Sequence, residues 1–214
     1  MSESQFDIFG DVQYVTESKD SMDSGLEDMD DAILKRYCEK HYAMIEKIDD
    51  IGLPEKGQQF RLVTRRVFNA MQMIEYICKR EVISDLKISI YSVSHSAALI
   101  LINLIDQGRI KKVEILMSNL RNKAHREKEV IIKNLFSKHP KISLFFCNSH
   151  AKTFSCATER NNYFTLEGSG NMSWNSRVEN YTLDNCKELY EFSCQWMSDI
   201  KKFVKDKKEF EDCS

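Results

Sequence analysis

The sequence has little of what would make a chain fibrous, membrane-spanning or disulfide-stapled. Two prolines and seven glycines in 214 residues exclude a collagen-like or low-complexity chain. No apolar run approaches the roughly 20 residues that a membrane-spanning helix needs. The longest, AALILINLI at 97–105, is interrupted by Asn103 and reads as a buried helix. The first residues, MSESQFDIFGDV, carry neither the basic start nor the apolar stretch of a secretory signal, so the expected compartment is the cytoplasm. Cysteine is present but not in disulfide-forming or zinc-binding patterns. There are seven, an odd number, with no CxxC pair, which favours reduced, mostly buried thiols. Cys147, His150 and Cys156 match no common structural zinc spacing, and cysteines in strand-like apolar runs read as core. No metal and no other cofactor is expected.

What is there suits a sizeable core in a soluble chain: 42% hydrophobic and 30% charged residues. The charge is uneven. Residues 1–31 hold ten acids against Lys19 alone, a net −9, which leaves +7 for the rest of a chain whose total is −2 (−2 minus −9). Such a lead reads as a solvated, partly disordered tail, or as a segment that folds back on a basic groove.

Residues 30–48 show Ile33, Leu34, Tyr37, His41, Met44, Ile45 and Ile48 at helical spacing after Asp30 or Asp31, predicting a helix that IGLPEKGQQ then breaks. FRLVT at 60–64 reads as a short strand. RRVFNAMQMIEYICKRE reads as a helix with Phe68, Met71, Ile74, Ile77 and Cys78 inward. From residue 86 strands and helices alternate. LKISIYSV is a strand, Ser94 caps a helix ending at Gly108, and KKVEILM is a second strand. HREKEVIIKNLFSK is a helix with Ile131, Ile132, Leu135 and Phe136 inward, stopped by Pro140, and KISLFFC is a third strand. This alternation predicts an α/β fold with a mostly parallel sheet flanked by helices. A hairpin follows, AKTFSCA and YFTLEG joined by TERNN, then the strand VENYTL. Asn185 and Glu188 form a capping-box-like pair before a last helix whose stripe is Leu189, Phe192, Trp196, Ile200 and Phe203.

The hairpin carries the chemistry. His150 and Lys152 are two residues apart, so on one strand they share a face. Gly168-Ser169-Gly170-Asn171 follows at the hairpin's return, and Glu179 lies on the next strand. A histidine, a lysine, a hydroxyl, an amide and a carboxylate around one point suit a phosphate. Lysine supplies a point charge, Ser and Asn supply neutral hydrogen bonds, and a carboxylate fixes the imidazole tautomer. Each piece alone has a plainer reading, since HxK recurs by chance and GSGN makes an ordinary turn. Among other residues, His95 and His125 read as capping or solvated, His41 and His139 as structural, Tyr163 and Phe164 as sheet residues, and Trp174 as packing beside the turn. The Lys and Arg of 121–138 read as a wet helix face.

His150-Ala-Lys152 followed by Gly168-Ser169-Gly170-Asn171 resembles the phospholipase D superfamily, with its HxK and GSxN signature, over about residues 85–205. The resemblance implies a phospholipase D-like fold whose C-terminal hairpin carries the motif. Together with the charge and the residue pattern, this predicts an acidic, partly disordered lead (1–31), a helix and linker (32–58) and a phospholipase D-like domain (59–208). The resemblance also implies a metal-independent phosphodiesterase, nuclease-like, that works through a phosphohistidine. In that reading His150 is the nucleophile, Lys152, Ser169 and Asn171 hold the phosphoryl oxygens, and Glu179 orients the histidine. The position where the family carries an Asp is Ala157 here, and the gap from lysine to glycine is longer than usual, matching a longer hairpin tip. One chain offers one motif set, so the second histidine is expected from a homodimer with a shared site. The alternative function is a module that holds nucleic acid or another phosphate ligand without cutting, and a third is an interaction protein acting through the acidic lead.

Overall fold

The computed structural model describes residues 40–45, 52–65, 69–119, 123–173 and 178–212. The acidic lead therefore lies outside the described residues. Eight strands form one sheet: β1 (Lys40–Ile45), β2 (Gln59–Arg65), β3 (Ile83–Ile90), β4 (Val113–Ser118), β5 (Ile142–Cys147), β6 (Thr153–Thr158), β7 (Tyr163–Gly168) and β8 (Val178–Asn185). Four described helices accompany them: α1 (Ala70–Arg80), α2 (His95–Asp106), α3 (Lys123–Ser137) and α4 (Lys187–Asp212). The strand order is β1-β2-β8-β7-β6-β3-β4-β5.

The α/β expectation holds, but the sheet is mixed rather than mostly parallel. β3, β4 and β5 are parallel, joined by crossovers through α2 and α3, and β1 is parallel to β2. The other four pairings, β2–β8, β8–β7, β7–β6 and β6–β3, are antiparallel. The cause is the hairpin. A polar tip of a few residues can only reverse the chain, so β6 and β7 lie antiparallel between the two parallel groups. At that tip Asn161 takes a left-handed backbone, φ 59°, a conformation Asn tolerates better than most residues.

Leu86, Ile88 and Ile90 of β3 face α1, α2 and α3 and share one core with Met71, Ile74, Leu101, Ile115, Ile132, Phe136, Phe154 and Leu166. Asn69 caps α1 by accepting from the backbone N–H of Met71 and Gln72, with the Gln72 side chain accepting in return from the Asn69 N–H. Ser94 caps α2 as expected, and the turn after α2 uses Gly108 at φ 72°, where a side chain would be strained.

Several expectations fail. Residues 40–45 are a strand, not part of a helix; the rest of that predicted helix, and Phe68, lie outside the described residues. The apolar spacing of KHYAMI fits a helix, but pairing along β2 satisfies the backbone of an otherwise open sheet edge. Ile131 is 49% exposed, so the inward face of α3 is Ile132, Phe136 and partly Leu135. Asn185 does not cap α4: its carbonyl oxygen accepts from the Tyr163 N–H, and its amide donates to the Pro54 carbonyl and to Asn162. On α4, Phe192 and Phe203 are 62% and 64% exposed, while Ser193 and Met197 are buried. The sheet face under α4 explains this. It carries Asp85, Lys87, Glu114, Ser155 and Thr165. Tyr190 donates to Asp85, Lys201 to Glu114, and Ser155 to Ser193. A polar sheet face selects the polar face of the helix.

Candidate active site

The site forms where β3 and β5 end and β6 begins, at the carboxyl edge of the parallel strands, which is where open α/β sheets place ligands. His150 and Lys152 lie just before β6 rather than on it, since β6 starts at Thr153. They still converge. The Lys152 ammonium lies 3.2 Å from His150 Nδ1 and donates to the His150 carbonyl at 3.2 Å. The Lys152 carbonyl accepts from the Gly168 N–H at 3.2 Å, which ties the HxK segment to the start of the GSGN turn.

That turn is pinned on two sides. The Asn171 Oδ1 accepts from the Ser92 N–H at 3.3 Å, and the Met172 carbonyl accepts from the Ser94 N–H at 2.9 Å. The Asn171 amide therefore has a fixed sense: its oxygen is held by backbone and its NH₂ remains to donate. On the other side, Ser169 N–H donates to the Asn180 carbonyl at 3.0 Å, and Ser169 Oγ accepts from the Asn180 N–H at 3.1 Å. The Ser169 hydroxyl donates to the buried carboxylate of Glu179. Gly170 is required by packing, because a Cβ there would run into the Tyr181 hydroxyl, and a Cβ at Gly168 would meet the Asn180 carbonyl and the Tyr181 ring.

Glu179, Tyr181 and Leu183 alternate with exposed Asn180 along β8. The register sets Leu183 opposite Leu166, and Leu166 opposite Phe154. Glu179 and Tyr181 therefore project from the same sheet face as Phe154 and Leu166. A small cavity beneath the turn is lined by Ala70, Ile90, Lys152, Gly170, Met172 and Tyr181. Burial, and secondarily the Glu179 charge, pushes the Tyr181 hydroxyl well above its ordinary pKa, so it stays protonated as the floor of this cavity.

Two neighbours were not legible in the sequence. Tyr91, one residue past β3, has its ring centroid 5.0 Å from that of His150 and 5.8 Å from the Lys152 ammonium. Ser92 supplies the N–H that orients Asn171. The only signal was position, at the end of a strand leading into a capped helix.

The position where the motif would carry an acid is filled differently. Ala157 pairs directly with Asp85 on β3, and Asp85 binds Lys87 at 3.2 Å and Tyr190 at 2.7 Å. A carboxylate is thus present across the strand pair, where it helps seat α4.

Of the remaining candidates, His95 is exposed at the start of α2. His139 binds Asp106 at 3.1 Å. Tyr163 packs on Tyr190 and Phe164 is buried, as sheet residues should be. Trp174 lies outside the described residues, and no side chain is described for His41 or His125. Among the described residues no group of three His, Cys, Asp or Glu is placed to hold a metal ion. Cys156 is fully buried and Cys78 nearly so, and burial pushes the Cys78 thiol up to about 12. No helix among the described residues is long and apolar enough to cross a membrane.

No protein-family model matches the sequence, and no curated protein matches it. Part of the chain is similar to solved structures. Nuc from Salmonella typhimurium, a phospholipase D family member, is 16% identical with a TM-score of 0.48, over 66% of this chain and 93% of Nuc. Polyphosphate kinase from Porphyromonas gingivalis is 14% identical with a TM-score of 0.46, over 60% of this chain but 23% of the kinase. Phosphatidylserine synthase from Haemophilus influenzae is 12% identical with a TM-score of 0.43, over 66% of this chain and 38% of the synthase.

Proposed function

We propose that this chain is a phospholipase D-like phosphodiesterase, of nuclease type, that works without a metal through a phosphohistidine. The observation that carries the reading is the convergence of His150, Lys152 and a backbone-oriented Asn171 amide at one sheet edge. Lys152 and Asn171 hold non-bridging phosphoryl oxygens. Ser169 does so by exchanging Glu179 for a phosphoryl oxygen, and the Glu179 carboxylate accepts from His150 Nδ1–H. The lone pair of His150 Nε2 then attacks phosphorus and the far P–O ester bond breaks. The leaving oxygen takes a proton from a second imidazolium. Water next attacks the phosphohistidine and returns a proton to that second imidazole, and the N–P bond breaks. Proton transfer of this kind contributes typically 10²–10⁴-fold.

In-line displacement needs the acid opposite the nucleophile, and one chain carries one HxK…GSGN set. His150 of the partner subunit in a twofold dimer supplies it, and the exposure of His150 leaves room for that approach. The substrate is nucleic acid, consistent with the +7 charge outside the acidic lead. The five described cysteines are all free, which fits a reducing compartment such as the cytoplasm.

The test is hydrolysis of plasmid, single strands and a chromogenic phosphodiester in EDTA, with His150→Ala as control. Cleavage that survives EDTA and is lost in the variant supports the enzyme. Nucleic-acid binding without cleavage would select the binding-module reading instead. Sedimentation at micromolar protein should give twice the chain mass, and an active monomer would remove the shared site.

A further inference from the structure

We infer that Tyr91 is the specificity residue of this site: its ring stacks against a planar group on the ester that stays attached to phosphorus. The inference rests on the reading of His150 and Lys152 as the phosphate site. Tyr91 stands at the end of β3, 37% exposed, with its ring tilted 55° to the His150 imidazole at 5.0 Å. The Lys152 ammonium lies over the same ring at 5.8 Å, within cation–π range. Tyr91 therefore touches both groups that would meet the substrate, and part of its ring stays open to solvent.

Stereochemistry decides which part of a substrate it meets. In-line attack sets the leaving oxygen opposite His150, pointing away from the imidazole and from Tyr91 beside it. Two non-bridging oxygens go to Lys152 and Asn171. The fourth substituent, the retained ester group, is left on the rim around the nucleophile, and the rim on the His150–Lys152 side is the Tyr91 ring. Every nucleobase, like any aryl group, has a face to offer such a ring, whereas a short alkyl ester has none. Ser92, the next residue, orients Asn171 through its N–H, so the same turn that aligns a phosphate oxygen also presents the platform.

The test is binding, which does not depend on turnover. Affinities of phenyl phosphate and methyl phosphate would be measured by calorimetry for the full chain and for Tyr91→Phe, Tyr91→Leu and Lys152→Ala. The wild type should bind phenyl phosphate about tenfold more tightly than methyl phosphate, the scale of one ring–base stack. Tyr91→Phe should keep that ratio, because the ring does the stacking, and Tyr91→Leu should bring it to about one. Because the ratio is internal to each variant, a partly destabilised protein still reports it. Lys152→Ala should weaken both ligands. A phenyl preference that survives in Tyr91→Leu, or is absent from a wild type that binds both ligands through Lys152, overturns the role of Tyr91 and leaves the phosphate site standing. If neither ligand binds the wild type, or Lys152→Ala changes neither affinity, the phosphate site falls and the inference with it.

Discussion

The Lys152 ammonium lies 3.2 Å from Nδ1 of His150. An ammonium has only protons to give, so Nδ1 must be the acceptor, and the proton of the neutral imidazole sits on Nε2. That tautomer cannot attack through Nε2. In the proposed mechanism a phosphoryl oxygen reverses the arrangement, because it competes for the ammonium at the same time as it competes with Glu179 for the Ser169 hydroxyl. On that proposal Nδ1 takes the proton, Nε2 is free to attack, and substrate and nucleophile are coupled through two exchanged hydrogen bonds.

This coupling is visible by ¹⁵N NMR of the His150 ring. Saturating orthovanadate or inorganic phosphate should move Nδ1 from an acceptor-type to a donor-type resonance and Nε2 the other way. Ring resonances that stay fixed while Lys152 senses the ion would contradict the exchange.

Glu179→Gln should slow the chemistry while the fold persists. Gln can still accept from Ser169, but it cannot stabilise the imidazolium that forms in turnover. By analogy with the buried acid of a hydrolase triad the loss should be on the order of 10²–10⁴ in rate. Kinetics and thermal melting read together check this; an early-melting variant would assign Glu179 to structure instead.

Much of this site could be read from the chain because its pieces are local. HxK and GSGN are each a few residues long, and a hairpin brings neighbours in sequence together in space. β3 to β5 were legible for a similar reason, their runs being short, apolar and separated by helices, the first of them capped by Ser94. The failures are tertiary. Phe192 and Phe203 look more core-like than Ser193, but nothing in α4 itself reveals that its sheet face carries Asp85, Lys87 and Ser155. Nothing in KHYAMI announces that β2 offers a partner. Tyr91 passed as an ordinary β-rich aromatic, since its meaning depends on His150, which arrives some 59 residues later at the same edge.

Asp184 gives a pH prediction outside the site. Burial raises its carboxyl above the usual range, although a hydrogen bond from Gln59 at 2.7 Å and the charge of Arg61 oppose this. A carboxyl raised on folding binds its proton more tightly in the native state. Its contribution to stability is present below the unfolded pKa and is lost as pH rises through the folded one. Asp184→Asn keeps an acceptor for Gln59 and removes the buried charge. Melting temperature should therefore rise at pH 7–8 and stay nearly unchanged at about pH 3, where the aspartate is largely protonated in both states. An equal shift at both pH values would show that burial of charge is not the cause.

The most direct measurement for the central claim is capture of the covalent intermediate. The protein would be mixed with bis(p-nitrophenyl) phosphate, quenched in alkaline denaturant and mapped by mass spectrometry. A phosphoryl ester adduct on the peptide containing His150, lost on acid treatment and absent from His150→Ala, is expected. A His150→Ala protein that turns the substrate over at the wild-type rate would contradict it.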